Sequence, residues 1–364
     1  MMTLMVSCSN VSSHETQLIP SDSIIRLNIP TNLSPTSYCQ YAEVNGNEFI
    51  VLMQKSGNIF VYDLNDRKLI KEIHPQADGP DGLGASISNI YFINFDTIFV
   101  VTNGYRDVLH IIDSNAHIVN KTKIDINYNP YIPISWIGKS SEISYHDGFL
   151  VLPNMILQPE GWAERDKYSL GYCYNFKTGE QSRYHVNYPN MIQVGEENPS
   201  DAMSFVINGD KTIVRYDHDH YIYVYNDSTW TPYYMKSKYV TKPLLKQYVD
   251  NIDFNGQIAR LVESPRYEYL AYDKYRNVYY RLVYHGESVN DIDNPMSQRE
   301  FHKTFSIMII DENFNLIGET IMPDNTYIMD SFFINEAGMW ISTNHPKNPE
   351  FEEDVITFRL FELK

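Results

Sequence analysis

Cysteine is scarce in this sequence: three residues in 364, at Cys8, Cys39 and Cys173. No CxxC pair and no Cys/His spacing of the zinc-binding kind occurs, which excludes a structural zinc module. Basic charge is also short, with 29 Lys and Arg against 46 Asp and Glu, a formal net charge of −17. No Lys/Arg cluster forms the basic face that a nucleic-acid partner would need. An acidic surface instead suits a soluble protein that resists self-association. It is compatible with weak Ca²⁺ binding, although bulk charge does not make a site. No run of 18 apolar residues is present, so no transmembrane helix is expected. No helical apolar period outlasts about two turns, and 244–256 is the one segment that reads as a helix. There is no GxSxG elbow and no HExxH, the local signatures of two large hydrolase groups.

What the chain has is strand material. Hydrophobic residues make up 43% and tyrosine alone counts 29, a residue that favours pleated, half-buried surfaces. One unit recurs. Segments 49–54, 98–103, 149–154, 212–217, 280–285 and 339–344 are each an apolar run closed by a polar residue. Each follows a turn signal such as Asn45-Gly46-Asn47, His146-Asp147-Gly148 or Asn208-Gly209-Asp210. Asn, Asp and Gly accept the positive φ of tight hairpins. A third strand follows at 59–63, 109–113, 171–175, 222–226 and 307–311, and a fourth at 69–73 and 316–321 among others. Four antiparallel strands repeated every ~50–65 residues predict an all-β fold, a six-bladed β-propeller of four-stranded blades.

The last unit runs out one strand short, after 355–363. The segment 23–29 supplies the missing strand, so the ring is expected to close by pairing of the N-terminal strand with 355–363. Closure also removes an edge that would invite aggregation. The expected organisation is a signal remnant and polar tether over residues 1–22 and a single propeller domain over 23–364. Cys39 and Cys173 fall in different blades and are expected to be two buried free thiols.

The N-terminal residues end in Val6-Ser7-Cys8, an apolar run closed by a small residue and a cysteine. This resembles a bacterial lipobox, in which the signal is cleaved before the cysteine and that cysteine is lipidated. With this start and six such blades, the chain resembles the Bacteroidetes six-bladed propeller lipoproteins of unassigned function, related in architecture to TolB-type propellers. The most specific local match is Gly79-Pro80-Asp81-Gly82-Leu83-Gly84, between blades one and two. The resemblance covers about residues 22–364. It implies a lipid-anchored place in the cell envelope, on the periplasmic or outer-surface side of a bacterial membrane. It supplies no catalytic residues.

In a propeller one blade position recurs around one face. The residues that close the second strands, Gln54, Asn103, Asn154, Asp217, His285 and Asn344, are therefore expected to ring one mouth of the central channel. The loops after them at 155–169, 286–304 and 345–354 are long and polar, and add Trp162, Arg165, Arg299, His302 and His345. Aromatic and arginine side chains around a concave mouth suit a glycan, a peptide or an envelope protein. The favoured reading is a non-catalytic binding module with no cofactor. The alternative is a Ca-type metal-dependent hydrolase or lyase, with Asp217, Asn103, Asn154 and His285 as ligands. Hard cations take six to eight oxygens, and this ring is rich in amides and poor in carboxylates, which favours binding. The string Asp217-His218-Asp219-His220 reads as a solvated turn between strands of blade four. Residues 79–84 read as a blade-connecting turn, because a strand follows where a phosphate cradle would need a helix.

Overall fold

The structure is a computed structural model, and it describes residues 15–30, 38–54, 56–102, 108–124, 143–154, 165–189, 203–241, 252–290 and 295–364. The chain opens with β1 (Leu18–Asn28). Blade one is β2 (Tyr38–Val44), β3 (Asn47–Met53), β4 (Ile59–Asp63) and β5 (Lys68–Ile73). Blade two is β6 (Ile87–Asn94), β7 (Thr97–Thr102), β8 (Val108–Ile112) and β9 (Ile118–Lys123). Blade three is β10 (Ser144–His146), β11 (Phe149–Pro153), β12 (Gly171–Tyr174) and β13 (Gln181–Arg183). Blade four is β14 (Met203–Asn208), β15 (Lys211–Tyr216), β16 (Tyr221–Asn226) and β17 (Thr229–Tyr234). Blade five is β18 (Arg266–Asp273), β19 (Val278–Tyr284), β20 (Phe305–Asp311) and β21 (Leu316–Ile321). Blade six is β22 (Phe332–Asn335), β23 (Gly338–Ser342) and β24 (Val355–Leu363), with β1 as its outermost strand. The fold is a six-bladed β-propeller, each blade an antiparallel four-stranded sheet.

The predicted closure is present. β1 pairs antiparallel with β24, Leu18 opposite Leu363 and Asn28 opposite Val355, with an irregularity between Pro20 and Ile24. The strand starts at Leu18 and so takes in the last residues that read as tether. Its lead-in is also fixed: the Thr16 N–H donates to the Ile317 carbonyl at 3.0 Å, and the Leu18 N–H to the Thr320 hydroxyl at 2.8 Å. At Gly318 the Thr16 carbonyl occupies the space a Cβ would need.

Packing explains why the second strands read as continuous apolar runs. Six clusters of the core each lie between two neighbouring blades. Ile50 and Leu52 join Trp340 and Phe358 of blade six, whereas Val51 and Met53 join Ile98 and Val100 of blade two. Alternate residues point to opposite faces of a strand, and here both faces are covered, so both must be apolar. The hairpin turns use the expected residues: Asn45 and Gly46 have φ of 54° and 79°, and Asp147 and Gly148 of 49° and 85°. Residues 79–84 form a blade-connecting turn, with Asp81 accepting the Ile118 N–H at 3.0 Å. Cys39 and Cys173 are buried thiols that form no disulfide among the described residues.

Most of the helix candidate 244–256 lies outside the described residues; its last residues, 254–256, form the first turn of a described helix, α1 (Phe254–Glu263), which continues along the chain. The Asp253 side chain accepts the Gly256 N–H at 2.7 Å as its N-cap, and Ile258, Leu261 and Val262 form its buried stripe. The deciding signals were a cap and an i, i+3, i+4 pattern. A second, short helix, α2 (Met296–Glu300), lies between β19 and β20.

Candidate functional site: the loop face of blades four to six

In an antiparallel blade, the end of the second strand, the start of the third and the start of the first lie at the same end of the sheet. Gln54, Asn154, Asp217, His285 and Asn344 all stand at this end. Asn103, Trp162 and Cys8 lie outside the described residues.

The described members are tied into their own loops. Asn344 donates to the Val355 carbonyl at 2.6 Å, and its Oδ1 accepts the Thr357 N–H at 2.7 Å. Asn154 donates to the Ser169 carbonyl at 3.3 Å, while its own carbonyl accepts from the Tyr188 hydroxyl at 2.5 Å. Gln54 Oε1 accepts the Ser56 hydroxyl at 2.8 Å. Arg165 Nε donates to the Pro189 carbonyl at 3.0 Å. A backbone group that leaves a strand ladder must find another partner, and these side chains supply it.

His285 starts a buried chain of hydrogen bonds. Its Nε2 meets Ser306 Oγ at 2.9 Å, Ser306 Oγ donates to Glu319 Oε1 at 2.7 Å, and Ser237 Oγ donates to the same oxygen at 2.6 Å. The Tyr239 ring stacks on the imidazole with centroids 4.0 Å apart. Burial pushes the imidazole down to about 4. This is not the geometry of a serine nucleophile. In a triad the acid orients the histidine, whereas here the acid takes the serine proton, and Ser306 is fully buried.

The densest charge lies between blades four and five. β18 carries a bulge between Tyr267 and Tyr269, so Glu268 is the extra residue on an innermost strand. Bulges re-aim a side chain and recur beside functional sites. Arg215 at the end of β15 reaches across to it. Its Nε donates to Ser204 Oγ at 2.8 Å and its Nη1 to the Tyr267 carbonyl at 2.8 Å, and further hydrogen bonds go to Asp217 and to the Glu268 carbonyl. The Glu268 carboxylate pairs with Arg266, and His302 stands 3.5 Å from it. The Arg266 guanidinium lies over the Tyr284 ring, 4.7 Å from its centroid.

Electrostatics divides the acids. Burial would raise Glu268, but Arg266 and His302 outweigh it and hold the carboxyl below the usual range. At Asp217 burial wins over the pull of Arg215, and the carboxyl is raised. Burial raises Asp330 as well and pushes His218 down to about 3. Among the described residues, the buried His218 Nδ1 has no hydrogen-bond partner. Among the described residues, no group of three or more His, Cys, Asp and Glu stands close enough to hold a metal ion.

The string Asp217-His218-Asp219-His220 is a turn, as expected, but it is buried rather than solvated. Asp217, His218 and Asp219 are all in the buried class. The reason is Arg281 of β19, which lies 3.5 Å over the Tyr267 ring and donates to the carbonyls of Asp219 at 2.5 Å and Met235 at 3.0 Å. His220 Nδ1 meets the Tyr267 hydroxyl at 2.7 Å. Sequence reasoning missed Arg215, Arg266, Glu268 and Arg281. A usable signal was present for two of them, because Arg215 and Arg281 are charges set inside apolar strands.

Comparison with known proteins agrees with this architecture. A crystal structure of a DUF4221 family member from Bacteroides vulgatus superposes with a TM-score of 0.79 at 23% identity, covering 97% of this chain and 99% of that one. That of a Bacteroides fragilis protein predicted to be exported superposes with a TM-score of 0.54 at 11% identity, covering 98% of each. No curated protein matches in sequence. The family described as Domain of unknown function (DUF4221) matches residues 8–321, and the chain belongs to that family.

Proposed function

We propose that this chain is a non-catalytic binding module of the bacterial cell envelope, lipid-anchored through Cys8, that holds a glycan, a peptide or an envelope protein on the loop face of its propeller. One observation carries the reading: the bulged, ionised Glu268 on an innermost strand, held by Arg266 and His302 and backed by Arg215. Such a group is pre-organised, because its neighbours fix it before any ligand arrives. The carboxylates at this face are already matched by arginines, Asp217 by Arg215 and Glu268 by Arg266. A hard cation would have to displace those partners, which weighs against the metal-dependent hydrolase. The export predicted for the Bacteroides fragilis protein of the same fold supports the envelope location. Among the described residues, no helix is long and apolar enough to cross a membrane; the lipid anchor rests on the Val6-Ser7-Cys8 sequence.

The test has two arms. Radiolabelled palmitate incorporation is compared between wild type and Cys8→Ala, and equal labelling removes the anchor. A glycan and peptide array then finds a ligand, whose affinity is measured for Glu268→Gln, Asn103→Ala, Asn154→Ala and Trp162→Ala. Weaker binding in these variants supports the loop face. Wild-type affinity in all four shows that the ligand sits elsewhere. Turnover of a lactone or ester on addition of Ca²⁺ displaces the binding reading with the enzyme.

A further inference from the structure

A cleft of about 350 Å³ opens on the flank of blade six, away from the charge network of blades four and five. Its walls come from β1 and β24 and from the loop between β23 and β24. On β24, Ile356, Phe358 and Leu360 point into the cluster shared with blade one. The alternate residues Thr357 and Arg359 therefore face the other way, and Arg26 and Ile24 stand opposite them on β1. Strand alternation thus places two arginines on one surface.

The two arginines differ. Arg26 is matched, with its Nη2 at 2.7 and 2.6 Å from the two oxygens of Glu352. Arg359 makes no hydrogen bond or ion pair among the described residues, and its Nε is buried with no acceptor. The cleft also holds Glu350, which forms no ion pair among the described residues, so its four charges sum to zero. Arg359 is half-buried, and like Glu350 it has no ion-pair partner among the described residues, but its Nε is shut off from solvent. In a chain of net charge −17, carboxylates are abundant, yet none has been brought to this guanidinium. A buried donor left without a partner is costly, by about 1–3 kcal/mol, and such groups are rare in native structures.

We propose that the cleft is a binding site for a small ligand bearing a carboxylate, which Arg359 receives. A guanidinium presents donors in a planar fork that matches the two oxygens of a carboxylate. Phe351 supplies an apolar wall for the body of the ligand, and Thr357 lines the same cleft. The volume is near the lower end of the range for small-molecule sites, ~300–1,000 Å³, and suits a single sugar or amino-acid unit. The carboxylate can come from an acidic sugar or from the C-terminus of a peptide. The site is separate from the network around Glu268 and does not depend on it.

Isothermal titration calorimetry on the full chain decides the matter. The probes are glucuronate and N-acetylalanine, with glucose and N-acetylalanine amide as their uncharged counterparts. At least one acid binds, its uncharged counterpart binds at least roughly tenfold more weakly, and Arg359→Gln loses roughly tenfold, about 1.4 kcal/mol. Arg359→Lys, which keeps the charge without the fork, falls between the two. Binding of glucuronate alone identifies the sugar source, and binding of N-acetylalanine alone the peptide source. Because Arg359→Gln removes a buried unmatched donor, its melting temperature stays at or above that of wild type. Phe351→Ala weakens the same ligand and gives an independent check should Arg359→Gln fail to fold. The proposal is overturned if neither acid binds wild type, if acid and uncharged probe bind alike, or if Arg359→Gln and Phe351→Ala both bind as wild type does.

Discussion

Arg215 of blade four donates a hydrogen bond to the backbone carbonyl of Glu268 in blade five, so a side chain from one blade holds the bulge of the next. Arg281 returns the contact, from blade five to the carbonyls of Asp219 and Met235 in blade four. Both guanidiniums are fully buried. Removing one partner of a buried ion pair leaves an uncompensated charge and typically costs about 3–5 kcal/mol. Arg215→Met should therefore lower the urea midpoint strongly, and Arg215→Met with Asp217→Asn should recover part of the loss. Equal midpoints for the single and double variants would show that Asp217 is not the partner that matters.

Gly318 and Thr16 predict how the ring is pinned. With Gly318→Ala the new methyl meets the Thr16 carbonyl, so the lead-in of β1 must move off β21. The melting temperature should fall moderately, and amide exchange should speed up at Thr16 and Leu18. Deleting residues 1–30 removes β1 altogether and exposes the edge of β24. That variant should melt far lower and aggregate. If it melted like the full chain, closure would not contribute to stability.

His110 sets an acid limit. It is fully buried in β8, neither ring nitrogen has a hydrogen-bond partner among the described residues, and burial pushes it down to about 4. In the unfolded chain a histidine titrates near ~6.5. Its folded value is depressed, so the stability it contributes is present above ~6.5 and lost as the pH falls towards about 4. Asp217 and Asp330 are raised and act in the opposite sense. The difference between wild type and His110→Leu isolates the histidine: the variant should be at least as stable at neutral pH and lose less on acidification. Parallel pH curves would count against it.

Asn344 predicts a local effect. Its amide replaces the ladder bonds of Val355 and Thr357 where the chain leaves β23. Asn344→Ala leaves both groups to find other partners, at about 1–3 kcal/mol. Asn344→Asp keeps the acceptor for the Thr357 N–H and loses the donor to Val355, so it should lie between wild type and Ala.

Sequence and structure agree most closely where the pattern is local. The third strand at 59–63 and the fourth at 316–321 are observed within those bounds as β4 and β21. Apolar alternation and Asn/Asp/Gly turns act within one hairpin, and blade geometry repeats them. The polar residues closing the second strands were legible as positions, but not as partners. Asn344 meets Val355, 11 residues on, His285 meets Ser306, 21 residues on, and Gln54 meets Ser56 in its own turn.

The sequence by itself determined the repeat, the number of blades and the strand that closes the ring. Each depends on a hydrophobic period and a turn, which neighbouring residues set. Only the tertiary structure decided what the buried charges do. Arg215 and the Glu268 carbonyl are 53 residues apart, and Arg281 and the Asp219 carbonyl 62. No periodicity encodes such a meeting, because it arises when adjacent blades press carbonyls that have left their ladders against whatever donor the next sheet presents. Arg359 shows the reverse case: alternation along β24 fixes the face it occupies, and among the described residues its buried Nε meets no acceptor.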